Sequence, residues 1–125
     1  MLKKEYRLTK NKDFDKVFKE GRYYHNQNLL IKCLPNDLAY TRFGILVSTK
    51  VSKKAVVRNK IKRQIRAILA LQLPFLKSGK DVVFVVFPLI LAKEIEEIKK
   101  IIVTGFDKLN LYEKEQRFKK HRLFN

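Results

Sequence analysis

The stretch Asp81-Val82-Val83-Phe84-Val85-Val86-Phe87-Pro88 restricts the fold of this chain more than any other. From Val82 to Phe87 it is uninterruptedly apolar, built from β-branched and aromatic residues, and stopped by proline. Successive side chains of a strand point to opposite faces, so a run of this kind can leave neither face in water. It predicts a central strand with a covering layer on each side. One domain suffices to supply those layers, since the chain has 125 residues.

The flanking segments provide the partners. Asn11, Asp13, Phe14, Val17 and Phe18 combine a cap residue, an acid in the first turn and apolar spacing of three and four, with Gly21 as a stop, and predict a short amphipathic helix. Arg22–His25, Leu29–Leu34 and Tyr40–Ser48 read as successive strands, with Pro35-Asn36-Asp37 as a turn. Near the other end, Ile95, Ile98, Ile102, Phe106 and Leu109 share a helical face. Glu94, Glu96 and Glu97 stand at its favourable start, and Gly105 is a weak point within it. A basic tail is expected from about residue 111, with Lys114, Arg117, Lys119, Lys120 and Arg122.

Charge narrows the function classes. Lys and Arg number 29 against 12 Asp and Glu, a formal charge of +17. Self-repulsion on that scale favours a polyanionic partner, with nucleic acid first and an anionic membrane second. The Val82–Phe87 run is far shorter than the roughly 20 residues that span a bilayer, and no amino-terminal stretch resembles a signal peptide. The expected compartment is therefore the cytoplasm, with no membrane partner. A single cysteine, Cys33, excludes an internal disulfide; its apolar surroundings predict a buried, inert thiol. His25 and His121 lie far from it, so no zinc spacing is present. Asp13, Asp15, Glu94, Glu96 and Glu97 fit helix starts better than a metal box, which argues against a protein nuclease that works by itself.

The positive charge concentrates on a helix expected from about Lys54 to Leu71. At 100° per residue, Val57, Ile61, Ile65, Ile68 and Leu69 fill one sector, while Arg58, Asn59, Lys60, Lys62, Arg63 and Arg66 fill the rest. Lys50, Lys53 and Lys54 extend that surface upstream, and no acid occurs between Lys50 and Leu73. Like charges four residues apart cost a few tenths of a kcal/mol each, a cost that an ordinary solvated face relieves with mixed signs. Guanidinium forks match phosphate oxygens, and the Asn59 amide can donate to phosphate, ribose or a base edge. This composition alone suits a ribosomal or RNA-chaperone protein equally well.

The order of residues is more specific. Ala55, Arg58, Asn59, Lys60, Ile61, Lys62, Arg63 and Arg66, within the segment from Gly44 to Arg66, resemble the signature of the bacterial ribonuclease P protein component. Weaker resemblance covers Arg7-Leu8, the Asp13 to Gly21 segment and the Val82–Phe87 strand.

The resemblance implies a protein subunit of a ribonucleoprotein endonuclease whose RNA subunit hydrolyses the phosphodiester with bound Mg²⁺ and removes the 5′ leader of precursor tRNA. It implies one protein per catalytic RNA, no catalytic residue and no metal or cofactor on the protein alone. Contact with RNA falls to Lys50, Lys53, Lys54, Arg58, Asn59, Lys60, Lys62, Arg63 and Arg66. A leader cleft between the first helix and the sheet falls to Phe14, Phe18, Tyr24 and Lys32. On the residues alone, Phe14 and Phe18 also fit a plain core role, and alternation allows only one of Tyr23 and Tyr24 into the cleft. Lys60 stands where many relatives carry Arg, and Lys32 where some carry an aromatic, so leader binding should lean more on charge. The implied fold is an α/β (α+β) sandwich in the order α-β-β-β-α-β-α, with a single four-stranded sheet. General rules favour a right-handed crossover through the basic helix; the resemblance implies a left-handed one.

Overall fold

The structure, a computed structural model, describes residues 2–113. Its regular elements are α1 (Asn11–Glu20), β1 (Arg22–His25), β2 (Leu29–Pro35), β3 (Arg42–Leu46), α2 (Ala55–Gln72), β4 (Lys80–Val86) and α3 (Ile95–Lys108). The expected element order holds. α1 starts one residue earlier than a capping role for Asn11 would require: Asn11 is its first residue and Lys10 its cap, without a side-chain bond. At α3 the acids do cap, with Glu94 and Glu97 forming a reciprocal capping box.

The four strands lie in the order β1-β2-β4-β3. β2 runs antiparallel to β1 and β4, and β3 parallel to β4. The apolar run thus occupies an internal strand. Its alternation divides the core in two: Val82, Phe84 and Val86 pack with Ile61, Ile65, Ile68 and Leu69 of α2 and with Ile98, Ile102 and Phe106 of α3. On the other face Val83 packs with Leu8 and Val17, flanked by the half-buried Phe14 and Phe18 of α1. The layers are therefore α1, sheet, and α2 with α3.

Backbone chirality fixes the crossover. Seen from the α2 face with β3 pointing up, the Phe43 side chain faces the viewer, so an L-residue places its carbonyl on the right. That carbonyl accepts from the Leu8 amide at 2.7 Å, and Arg7 bridges Phe43 along the outer edge of β3. β4 is then on the left, and with α2 in front the β3-α2-β4 crossover is left-handed. The Phe87 amide, from a residue facing away, donates leftward to Asn28 at the start of β2 and agrees with this assignment.

Gly105 is less a weak point than a contact point. A Cβ there would lie 2.6 Å from Ile31 Cδ1 and 2.9 Å from Tyr24 Cδ2, so its absence lets α3 settle on the sheet. The chain after α3 also departs from expectation. Leu111 and Tyr112, which the expected tail boundary near residue 111 takes in, are buried. Asn110, at φ 57°, turns the chain back; Lys77 N–H then donates to Leu111 O at 2.8 Å and Glu113 N–H to Phe75 O at 3.0 Å. The Tyr112 hydroxyl donates to Gln72 Oε1 at 2.8 Å inside the core. The basic stretch from Lys114 onward lies outside the described residues.

Candidate nucleic-acid interface

α2 folds as its pattern dictates, with Ile61, Ile65, Ile68 and Leu69 buried. That burial turns the cations outward: Asn59, Lys60 and Arg63 are exposed, and Arg58, Lys62 and Arg66 are partly covered along the flanks. Lys50, Lys53 and Lys54 are exposed on the loop from β3. Among the described residues the ion pairs are Arg42 with Asp13 and Asp81, and Lys93 with Glu97, so none of the α2 or loop cations is neutralised by a carboxylate. The first turn of α2 holds no acid either, which adds the positive end of the helix dipole to the same surface.

Two details were hidden from sequence reasoning. Arg58 turns back on its own loop, its Nη1 donating to Ser52 O at 2.8 Å, while Ser48 and Ser52 hydroxyl oxygens accept from the amides of Lys50 and Lys54. Arg58 thereby orients the lysine-bearing loop while keeping its remaining N–H groups for an anion. Arg66 has a second neighbour: burial and then the nearby Arg7 charge lower its pKa. Nothing in the spacing between Arg7 and Arg66 signals that proximity.

The α1 face is less completely closed. Phe14 and Phe18 are half-buried, packed on Leu34 and Val85 with Val83 beneath. Gly44 makes room for the edge of the Phe14 ring against β3, since a Cβ there would approach its Cε1 to 2.4 Å. α1 is held at its start by Asp13, 3.6 Å from Arg42. Arg42 in turn grips the buried Asp81 through Nε and Nη2 at 2.9 and 2.7 Å, a hydrogen-bonded pair that raises the Arg42 pKa. At the other end Lys32 Nζ donates to Phe18 O at 2.7 Å and lies 5.7 Å from the Phe18 ring centroid. Phe14, Phe18 and Lys32 therefore share one open face.

Tyr24 does not join them. It pairs with Ile31 and packs toward Gly105 of α3, on the closed side. Tyr23, directly opposite Lys32, takes the open side. The register follows from Asn26, whose side-chain oxygen accepts from Asn28 and Leu29 amides at 2.8 and 3.1 Å and sets the turn; a slip of one residue would exchange the two tyrosines. Cys33 is buried, and burial pushes its thiol pKa up against the opposing charge of Arg22.

A description of the family called Ribonuclease P matches residues 2–110. The chain belongs to the ribonuclease P protein family. The ribonuclease P protein component of a Synechocystis species is 48% identical over 88 residues, covering 70% of this chain and 71% of that one. The component of Clostridium botulinum is 34% identical over 110 residues, covering 87% and 98%. Among solved structures, the RNase P protein of Staphylococcus aureus superposes with a TM-score of 0.80 at 27% identity, over 86% of this chain and 98% of that one. Among the described residues no helix is long and apolar enough to cross a membrane.

Proposed function

We propose that this chain is the protein subunit of a ribonuclease P ribonucleoprotein, one copy per catalytic RNA, acting in the cytoplasm on precursor tRNA. The observation that carries this reading is the row of cations on α2 and the Lys50–Lys54 loop, none paired with a carboxylate among the described residues, in a chain of this family. In this reading those side chains bind the catalytic RNA through its phosphates, and the α1 face receives the single-stranded leader on Phe14, Phe18 and Lys32. The scissile phosphodiester is hydrolysed by the RNA with its Mg²⁺; the protein neutralises repulsion between enzyme RNA and substrate.

Reconstitution with the cognate catalytic RNA tests the reading. The protein should stimulate leader removal at limiting Mg²⁺ and tighten binding of leader-bearing over leaderless tRNA. Arg63→Ala should lower the salt slope of RNA binding by about one, the value of a single phosphate contact. Arg58→Ala should weaken binding further, since it also frees the Lys50–Lys54 loop. Absence of stimulation and of leader preference would sink the assignment.

A further inference from the structure

The exposed edge strand β1 carries an aromatic pair that the α1 cleft does not account for. Tyr23 and His25, two residues apart and so on one face, lie ring over ring with centroids 5.7 Å apart and planes inclined by 22°. Tyr23 is 61% exposed, and among the described residues no strand lies beyond β1. A ring so exposed contributes little to the core. Its place is informative: Tyr23 is paired across the sheet with Lys32, whose ammonium is already bonded to Phe18 O. That ammonium has three donors, so two remain. Moving from α1 to the sheet edge, the open face presents an aromatic ring, a cation and an aromatic pair, which are Phe18, Lys32, and Tyr23 with His25.

A single strand of nucleic acid alternates in the same manner, base, phosphate, base. Every base has a π-face that an aromatic side chain can stack on, and a cation between two rings meets the intervening phosphate. We propose that Tyr23, backed by His25, is a stacking platform for one unpaired nucleobase of the 5′ leader, reached after the strand has crossed Phe18 and Lys32. The inference rests on the α1 face being the leader site, and it lengthens that site toward the sheet edge. His25 holds the Tyr23 ring from one side and leaves its other face to the base. Tyr24, turned to the closed side, has no part in it.

The test uses the reconstituted holoenzyme with precursor tRNAs of graded leader length and a set carrying one abasic nucleotide at each leader position. Tyr23→Ala should weaken binding of long-leader substrate about tenfold, the lower end of what one stacked base contributes. It should leave leaderless tRNA and the catalytic RNA bound as before. Tyr23→Phe should retain wild-type affinity. One abasic position should weaken the wild-type complex and have no effect on Tyr23→Ala. If Phe18→Ala reduces leader affinity while Tyr23→Ala does not, the platform is wrong and the cleft stands; if neither does, both are wrong. Concentration-dependent self-association of the free protein, abolished by Tyr23→Ala and without any leader effect, would instead assign the pair to contact between copies of this chain and overturn the proposal.

Discussion

The two faces of the sheet are covered by helices of one chain under different rules. On one, α2 and α3 bury a continuous core in which Phe84, Phe106 and Tyr112 meet edge to face. On the other, α1 and the segment before it cover part of the sheet; among the described residues Leu8, Val17 and Val83 are the buried members of that cluster, and Phe14 and Phe18 are left half-open. The closed face closes by apolar packing. The open one is held by polar latches at its two ends, Asp13 on Arg42 and Lys32 on the Phe18 carbonyl. A helix that must keep its apolar residues available for a ligand cannot be held chiefly by burying them, and the latches replace the missing area.

The strongest test sets a truncation on each side against the other. Phe106→Ala, at a fully buried ring, should lower stability by about 3–5 kcal/mol in urea unfolding. Phe18→Ala should lower it by about 1–2 kcal/mol, because a half-open ring has only part of its transfer energy to lose, and should show its main effect in leader binding. Equal losses would mean that the α1 face is simply a second core.

A smaller effect is expected from filling the open face from beneath. Gly44→Ala places a methyl 2.4 Å from Phe14 Cε1 and 3.3 Å from Leu8 Cβ, so the ring must rise and α1 with it. Overpacking of this kind typically costs about 1–3 kcal/mol. Leader affinity should fall while affinity for the catalytic RNA stays unchanged, since α2 lies on the far side. Pairing Gly44→Ala with Phe14→Leu should recover part of the stability, a coupling visible in a double-mutant cycle. Loss of catalytic-RNA binding instead would show that the two faces communicate.

What could be read beforehand divides along the same line. The internal strand was legible because burial on both faces demands an unbroken apolar run, and the faces of α2 and α3 because burial imposes a period on apolar residues; on α3 the expected face holds for Ile98, Ile102, Phe106 and Leu109, while Ile95, in the first turn, is exposed. The α1 face depended on register and on single contacts. The choice between Tyr23 and Tyr24 turned on hydrogen bonds at Asn26, Arg58 spends one donor on its own loop, and Asp13 serves Arg42 besides its place at a helix start. None of these leaves a period. The buried Leu111 and Tyr112 were masked by a different cause: their segment is short, and the reversal at Asn110 that returns them to the core is a backbone event. The left-handed crossover likewise required backbone hydrogen-bond directions, because the general preference points the other way.

The smallest effect probes a buried side-chain hydrogen bond within the closed face, between Tyr112 and Gln72. Burial, reinforced by the Asp107 charge, raises the Tyr112 pKa well above its ordinary 10.0, and its hydroxyl donates to the buried Gln72. Above about pH 10 the unfolded chain releases this proton while the folded chain keeps it, so the folded state binds more protons and stability falls as pH rises. The contribution is complete below the unfolded pKa and lost toward the folded one. Tyr112→Phe should therefore lower stability at neutral pH by about 0.5–1.5 kcal/mol through the missing hydrogen bond, and flatten the decline of the urea midpoint above about pH 10. Because Gln72 Nε2 already has no hydrogen-bond partner among the described residues, the variant leaves that amide with no bond at either end. An unchanged alkaline slope would place the Tyr112 hydroxyl in water, and the closed face would then be open at its carboxy-terminal edge.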